Sequence, residues 1–251
     1  MVTRVIATVL FGMFVLYAGV CGALFLFQRS LLYYPTAGTE EEDTAQLMTV
    51  RVAGEHIVAS RVLGEGREAV VYFGGNAEDV SRSKGAIAMA FPGQAAFLLH
   101  YRGYGWSSGR PTEEALFRDS LALYDQVKEM YPRVAVVGRS LGSGLAVRVA
   151  SRRQVERLVL VTPYDSMAEV AASTLPLLPA RWLLMDRYES WRYAPQVTAP
   201  TVIVAAERDE VIPRASTERL RARFGPGLVR YVVVPGAGHN DVSWNDIRGA
   251  L

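Results

Sequence analysis

A serine in a glycine-flanked turn is the first candidate for chemistry. The pentapeptide Gly138-Arg139-Ser140-Leu141-Gly142 follows the apolar run Val134–Val137 and precedes an apolar helical stretch. This strand–turn–helix context is typical of a nucleophile elbow, in which the residues two before and two after the serine must be small. The following helix would place the hydroxyl at its positive end, where a developing anion is stabilised. The pattern predicts Ser140 as a nucleophile, with an ordinary glycine-rich turn as the alternative.

A serine hydroxyl is a weak nucleophile without a base, so a histidine is expected downstream. The sequence contains His56, His100 and His239. Only His239 follows Ser140, as the chain order nucleophile–acid–base demands, and it lies in a loop after the last apolar run. We predict His239 as the base, with a solvated loop histidine as the alternative. His56 is expected at the surface of a hairpin, and His100 in a structural role at a strand end.

The acid should lie between the nucleophile and the base, near the carboxyl end of a strand. Asp209 follows the apolar run Val202–Ala206 and is the preferred candidate. A buried carboxylate there would select the imidazole tautomer and stabilise its protonated form. Asp165 and Glu207 are the rival candidates, whereas Glu210 is expected to be a solvated residue at a helix start.

An oxyanion hole needs two backbone N–H groups. One is expected from Leu141, the residue after the nucleophile. The other is expected from Asn76, in the loop Gly74–Asp79 after an apolar run, where glycines let the backbone approach a substrate oxygen. A plain turn is the alternative interpretation of this loop.

The elements that must position these residues follow a β-then-α rhythm. The alternating segments Met48–Val52 and Glu55–Val62 predict an opening hairpin. Six continuous apolar runs predict strands buried on both faces; they are Ala69–Phe73, Ala95–His100, Val134–Val137, Leu158–Val161, Val202–Ala206 and Val229–Val234. The helical candidates between them are Asp79–Ala90, Glu113–Met130, Leu141–Ser151 and Ser216–Arg223. The order predicts an α/β fold with a doubly wound, mostly parallel sheet.

A proline-containing segment, residues 165–196, interrupts this rhythm. It predicts a small helical insertion after the sixth strand, over the end of the sheet where ligands of open α/β sheets bind.

The N-terminal segment is apolar enough to cross a membrane. No charged residue occurs from Val5 to Phe27. As a helix this segment would be about 34 Å long, enough to cross a hydrocarbon core of about 30 Å. We predict residues 1–27 as a single-pass anchor, 28–46 as a tether and 47–251 as the catalytic domain. A cleaved signal peptide is the rival interpretation. Arg4 and the α-amino group precede the span and Arg29 follows it, which favours a domain on the non-cytoplasmic side.

The composition excludes several classes of protein. The 251 residues include 27 basic and 25 acidic residues, a net charge of +2, and no basic block, so a nucleic-acid partner is not expected. A hydrophobic fraction of 50% excludes disorder. Cys21 is the single cysteine, which excludes an intramolecular disulfide and a cysteine-based zinc site. The expected chemistry requires no metal and no organic cofactor.

Taken together, these motifs resemble the α/β-hydrolase superfamily, in particular the membrane-anchored serine hydrolases that include abhydrolase-domain proteins 13 and 17 and their bacterial relatives. The resemblance covers nearly the whole chain and rests on Gln28–Pro35, Gly75–Asp79, Tyr101–Gly109, Gly138–Gly142, Asp209–Pro213 and Gly238-His239. It implies that Ser140, Asp209 and His239 form a triad, that Leu141 and Asn76 supply the oxyanion hole, and that the Arg102 loop is a brace. Relatives often carry His-Gly before the asparagine, whereas Gly74 takes the place of that histidine here.

The sequence therefore predicts a membrane-anchored serine hydrolase that cleaves an acyl ester or thioester through an acyl-enzyme. The substrate could be a small molecule, a lipid or an acylated protein, since the superfamily includes esterases, acyl-protein thioesterases and peptidase-like members. A serine peptidase of similar fold and a non-catalytic binding module are the alternatives.

Overall fold

A computed structural model describes residues 1–38 and 46–251. The strands are β1 (Leu47–Val50), β2 (Ile57–Val62), β3 (Glu68–Phe73), β4 (Ala95–Leu99), β5 (Arg133–Arg139), β6 (Leu158–Val161), β7 (Thr201–Ala206) and β8 (Val229–Val234). The helices are α1 (Val2–Leu32), α2 (Lys84–Ala90), α3 (Glu113–Met130), α4 (Leu141–Ala150), α5 (Met167–Thr174), α6 (Ala180–Leu183), α7 (Ser190–Tyr193), α8 (Arg214–Arg221) and α9 (Trp244–Ala250).

The strands form one mostly parallel sheet in the order β1-β2-β4-β3-β5-β6-β7-β8. β1 and β2 form the predicted antiparallel hairpin, β2 also pairs antiparallel with β4, and the other pairs are parallel. A hydrophobic cluster covers each face, so the central strands are buried on both sides, as their continuous apolar runs predict. The predicted doubly wound α/β-hydrolase fold is confirmed.

The strand order creates the position for a site. The chain leaves β3 for its outer neighbour β4 and then returns to β5 on the other side of β3. Such a reversal leaves a crevice at the carboxyl ends of the two strands, where ligands of open α/β sheets bind. Phe73 at the end of β3 lies opposite Gly138 near the end of β5. The loop 74–79 and the turn around Ser140 therefore meet at this crevice.

The predicted elements differ from the observed ones mainly at helix ends. All eight predicted strands are present, and α3 has the predicted bounds, with the hydroxyl of Thr112 accepting a hydrogen bond from the N–H of Ala115. The predicted helix Asp79–Ala90 is divided into a 3-10 turn, Val80–Ser83, and α2. The carboxylate of Asp79 accepts from both the N–H and the hydroxyl of Ser81, which stabilises the tighter turn.

Helix α9 is absent from the predicted elements. It begins with a capping box in which Ser243 and Asp246 exchange side chain–backbone hydrogen bonds. Its buried Ile247 packs on the second hydrophobic cluster. The helix is short, and its packing on the sheet rather than its own pattern supplies most of its stability.

Helix α1 is long and apolar enough to cross a membrane, and it continues past Phe27 to Leu32. Its C-terminal turn contacts the insertion between β6 and β7, which contains α5, α6 and α7. The amide of Gln28 donates to the carbonyl of Leu183 (3.2 Å), and Arg29 forms an ion pair with Asp186 (3.0 Å). Residues 28–38 of the predicted tether are thus described, whereas residues 39–45 lie outside the described part of the chain.

Candidate functional site

Ser140 sits at the junction of β5 and α4 in an unusual backbone conformation, with φ 47° and ψ −116°. The two glycines of the pentapeptide make that conformation possible. A Cβ atom on Gly142 would overlap the carbonyl oxygen of Phe73, and one on Gly138 would lie 2.5 Å from the carbonyl oxygen of Gly142. The predicted need for small residues on either side of the serine follows from these close approaches.

Ser140, His239 and Asp209 form a chain of hydrogen bonds. His239 Nε2 lies 2.9 Å from Ser140 Oγ, and His239 Nδ1 lies 2.9 Å from each carboxylate oxygen of Asp209. The His239 and Asp209 side chains are each only 6% exposed. An ionised carboxylate accepts and cannot donate, so the imidazole proton lies on Nδ1 and Nε2 is free to accept from the serine hydroxyl.

The carboxylate of Asp209 is itself held in position. It accepts hydrogen bonds from the backbone N–H groups of Val211 (3.0 Å) and Ile212 (2.7 Å), in the turn that follows β7. His239 lies in the loop after β8, and its own N–H donates to the carboxylate of Glu210 (3.1 Å). Glu210 is exposed, as predicted, but it lies in the turn before α8 rather than at the helix start. The sequence predictions did not include its contact with the histidine loop.

The two rival acids lie elsewhere. Asp165 accepts from Arg219 Nε and from the hydroxyl of Ser216, both at 2.5 Å, and so joins the insertion to α8. Glu207 accepts from the N–H of Gly236 (2.6 Å) and shapes the turn after β8. Of the three candidate acids, Asp209 is the one whose carboxylate the structure brings to the His239 ring.

The other histidines have the predicted surroundings. His56 is exposed in the hairpin. His100 is buried, and its ring hydrogen-bonds to the hydroxyl of Ser60 (2.8 Å). The adjoining Arg102 is buried and forms two hydrogen bonds with Asp119 on α3, of 2.6 and 2.8 Å. This is the bracing role that the resemblance implies for the Arg102 loop.

The amide N–H groups of Leu141 and Asn76 donate no hydrogen bond to any residue within the described ranges. Both residues border Ser140, Leu141 as its neighbour in sequence and Asn76 across the cleft. The side chain of Asn76 has other partners, because its Nδ2 donates to the carbonyl of Leu32 (2.6 Å) and its Oδ1 accepts from the hydroxyl of Tyr104 (2.8 Å). Burial raises the pKa of Tyr104 to about 12, so this hydroxyl keeps its proton.

Glu78 organises the loop 74–79 and was missed by the sequence predictions. Its carboxylate accepts from the N–H of Gly75 (2.7 Å), the hydroxyl of Tyr72 (2.9 Å) and the hydroxyl of Ser83 (2.8 Å). Burial raises the pKa of Tyr72, which therefore stays a donor. An acid three residues after a glycine in the loop that follows a strand is the signal that could have identified it.

These groups line an open cleft of about 600 Å³. Its walls are the loop 75–79, the residues Arg139 and Ser140, and the loop containing His239. The guanidinium of Arg139 donates to the carbonyl of Asn240 (3.1 Å), which ties the serine turn to the histidine loop. The cleft therefore brings a serine hydroxyl, a paired imidazole and the residue Asn76 to the same space.

Comparisons with known proteins show the family to which the chain belongs. The model of the serine hydrolase family matches residues 117–244. An uncharacterized protein of Mycobacterium tuberculosis (strain CDC 1551 / Oshkosh) is 36% identical over 252 residues, covering 93% of this chain and 88% of the relative. The alpha/beta hydrolase domain-containing protein aho-3 of Caenorhabditis elegans is 34% identical over 150 residues, covering 58% of this chain and 44% of that protein.

Solved structures give the same fold. Est1E from Butyrivibrio proteoclasticus, with ferulic acid bound, matches with a TM-score of 0.69 at 17% identity, covering 81% of this chain and 95% of that chain. The family match spans the elbow and the histidine loop on an alpha/beta hydrolase fold. The chain belongs to the serine hydrolase family and is a hydrolase enzyme.

Proposed function

We propose that this protein is a membrane-anchored serine hydrolase that cleaves an acyl ester or thioester with Ser140, His239 and Asp209 as its catalytic triad. The hydrogen-bonded chain from Asp209 through His239 to Ser140 carries the proposal. The substrate is a carboxylic ester or thioester of a small molecule, a lipid or an acylated protein.

The acylation step uses the proton on Ser140. His239 Nε2 accepts this proton as Oγ attacks the acyl carbon, and Asp209 stabilises the resulting imidazolium. The oxygen of the tetrahedral intermediate accepts hydrogen bonds from the N–H groups of Leu141 and Asn76; one such donor contributes roughly 10²–10³-fold to kcat in a well-studied protease. His239 then protonates the leaving oxygen or sulfur, and an alcohol or thiol departs.

Water completes the cycle. His239 accepts a proton from a water molecule that attacks the acyl-enzyme carbonyl, and the C–O bond to Ser140 breaks. The carboxylic acid leaves, and Ser140 recovers its proton from His239. Asp209 holds the same ring orientation in both halves, because two N–H groups of the turn after β7 fix its Oδ1.

The anchor and its orientation are part of the proposal. In this proposal α1 spans the membrane once, and the larger positive charge before it favours a catalytic domain on the non-cytoplasmic side. An alkaline phosphatase fused to the C-terminus, which is active only outside the cytoplasm, is expected to be active in intact cells. Activity of a cytoplasm-specific reporter alone would reverse the orientation.

The central experiment is hydrolysis of p-nitrophenyl esters, from acetate to palmitate, by the full chain in detergent or nanodiscs. Ser140→Ala is expected to lower kcat/KM by at least about 10³-fold. Ser151→Ala, at the far end of α4, is the matched control and is expected to keep the wild-type value. If the wild type cleaves peptides instead of esters, the protein is a peptidase. If it cleaves neither, the cleft is a binding site.

A further inference from the structure

A second cavity lies between α1 and the insertion, and none of the described residues that line it lines the serine cleft. It has a volume of about 240 Å³, close to the lower end of the roughly 300–1,000 Å³ of small-molecule pockets. Leu24, Leu31 and Leu32 of α1 form one wall, and Val170, Ala171 and Leu183 of α5 and α6 form the other. We call it the anchor pocket. Its lining is almost wholly apolar, so it suits a hydrocarbon rather than a charged ligand.

We propose that the anchor pocket binds the acyl chain of a membrane lipid ester, which enters sideways from the bilayer and is cleaved at Ser140. This inference rests on the proposed function and names the class of its substrate. It makes α1 a part of the substrate site as well as an anchor.

The depth of the insertion along α1 supports this route. The hydroxyl of Tyr17 donates to the carbonyl of Leu177, in the turn between α5 and α6 (3.0 Å). Tyr17 lies ten residues before Phe27, a distance of about 15 Å along the helix, or half of a hydrocarbon core of roughly 30 Å. A carbonyl in hydrocarbon must find a donor within the protein, and Tyr17 provides one.

The insertion exposes several large apolar side chains. Leu177 and Trp182 are each 86% exposed, and Met185 is also exposed. Large apolar side chains presented together at a surface indicate contact with a membrane or a partner. Their position beside a helix that can span a membrane identifies the bilayer as that contact.

The anchor pocket adjoins the serine cleft at the end of α1. Leu32 lines the pocket, and Asn76 lines the cleft. The two residues are joined by a hydrogen bond from the side-chain amide of Asn76 to the carbonyl of Leu32. One hydrogen-bonded residue pair therefore separates the end of the anchor pocket from the serine cleft.

The two walls of the pocket are joined firmly. Gln28 donates to the carbonyl of Leu183 and accepts from the N–H of Met185 (2.7 Å), and Asp186 accepts from Arg29 and from the hydroxyl of Tyr33 (3.2 Å). These contacts hold the insertion against α1 next to the pocket. A pocket formed before the ligand arrives avoids part of the ordering cost of binding.

The first test is the acyl-chain preference of the full chain in nanodiscs. Ala171→Phe places a ring in the anchor pocket, and Ala172→Phe, its neighbour outside the pocket lining, is the matched control. The ratio of kcat/KM for p-nitrophenyl decanoate to that for the acetate is expected to fall at least tenfold in Ala171→Phe. It is expected to keep the wild-type value in Ala172→Phe. A wild-type ratio in both variants overturns the assignment of the pocket.

The second test concerns entry from the bilayer and does not depend on activity. Vesicles of brominated phosphatidylcholine quench tryptophans that lie within the hydrocarbon. Quenching of the wild-type protein is expected to exceed that of Trp182→Phe, because Trp182 is the exposed tryptophan of the insertion. Equal quenching of the two proteins overturns the bilayer route.

Failure of this inference can be distinguished from failure of the proposed function. If Ser140→Ala still hydrolyses every ester at the wild-type rate, the proposed function is wrong. If Ser140→Ala is inactive but Ala171→Phe keeps the wild-type ratio, the function stands and the acyl chain lies elsewhere.

Discussion

The backbone at Ser140 is held in a sparsely populated conformation that costs about 1–3 kcal/mol. The surroundings maintain it: the N–H of Ser140 donates to the carbonyl of Val161 on β6 (2.9 Å), and the N–H of Gly142 donates to the carbonyl of Gly74 (3.1 Å). The conformation projects the hydroxyl out of the turn toward His239. Residues around the serine are therefore constrained by the backbones of two neighbouring strands.

Gly142→Ala tests this constraint. The added Cβ would overlap the carbonyl oxygen of Phe73 and lie 2.6 Å from that of Gly74, and backbone cannot move aside as a flexible side chain does. We expect a loss of stability of about 1–3 kcal/mol or more, together with loss of esterase activity. Thermal unfolding measures the first effect.

Gly85→Ala is the control for this prediction. Its Cβ meets open space on α2, so the change is expected to stabilise the protein slightly. An unchanged melting temperature for Gly142→Ala would contradict this explanation of the elbow.

Glu78→Gln tests the positioning of the oxyanion loop. The carboxylate accepts from three donors, and an amide has one acceptor oxygen for them, so the loop carrying Asn76 is expected to shift. We expect kcat to fall about tenfold with a smaller change in KM, as for an interaction made in the transition state. Steady-state kinetics on one ester separates the two constants. The exposed Glu114→Gln serves as the comparison, and equal kcat values for the two variants would remove Glu78 from this role.

At the scale of elements, the insertion is joined both to α1 and to α3. Glu113, in the first turn of α3, accepts from the N–H groups of Arg187 (2.8 Å) and Tyr188 (3.0 Å) in the insertion. Arg148 of α4 lies 3.9 Å away, and Asp186 contributes a negative charge nearby. Burial is the largest influence on this carboxyl and raises its pKa above the ordinary value of 4.5.

This shift predicts a pH dependence of stability. A carboxyl whose pKa is raised on folding binds its proton more tightly in the folded state, so its stabilising contribution is present below pH 4.5 and is lost as pH rises through the folded pKa. Glu113→Gln stays neutral, so its melting temperature relative to wild type is expected to increase between pH 4.5 and pH 7. The exposed Glu114→Gln next to it serves as the comparison. If the melting-temperature difference between Glu113→Gln and wild type does not change with pH, the raised pKa of Glu113 does not contribute to the pH dependence of stability.

At the scale of the whole molecule, α1 is exposed along most of its length while the rest of the chain has an ordinary buried core. A charged side chain at the centre of a membrane span costs roughly 2.5–3.5 kcal/mol on insertion scales, whereas one at the end costs little. Leu16→Lys is therefore expected to reduce the fraction of protein that stays with membranes after alkaline carbonate washing. Val2→Lys is the matched control at the end of the helix.

Mass spectrometry of the membrane fraction distinguishes an anchor from a cleaved signal peptide. An anchor leaves the chain intact, whereas a signal peptide leaves a chain that lacks the N-terminal apolar segment.

The sequence by itself determined the features that arise from local energetics. Continuous apolar runs predicted six of the eight strands, because a strand covered on both faces excludes polar side chains wherever it lies in the sheet. Alternation of apolar and polar residues predicted the two strands of the opening hairpin. The elbow around Ser140 and the apolar span of α1 were equally visible, since each depends on residues adjacent in the chain. The sequence also named His239 and preferred Asp209, but their hydrogen-bonded geometry belongs to the folded molecule.

The tertiary structure alone decided which distant residues meet. Asp165 and Asp209 both follow strands, and only the course of the loops after β6 and β7 brings Asp165 to Arg219 and Asp209 to His239. The contact of Glu210 with the N–H of His239 depends in the same way on a loop that is distant in the sequence. The anchor pocket is the clearest case, because its walls are separated by more than a hundred residues and each wall alone reads as an apolar helix face. Hydrophobic burial is non-directional. An apolar pattern in the sequence therefore shows that a helix face will be covered, and only the folded chain shows which segment covers it.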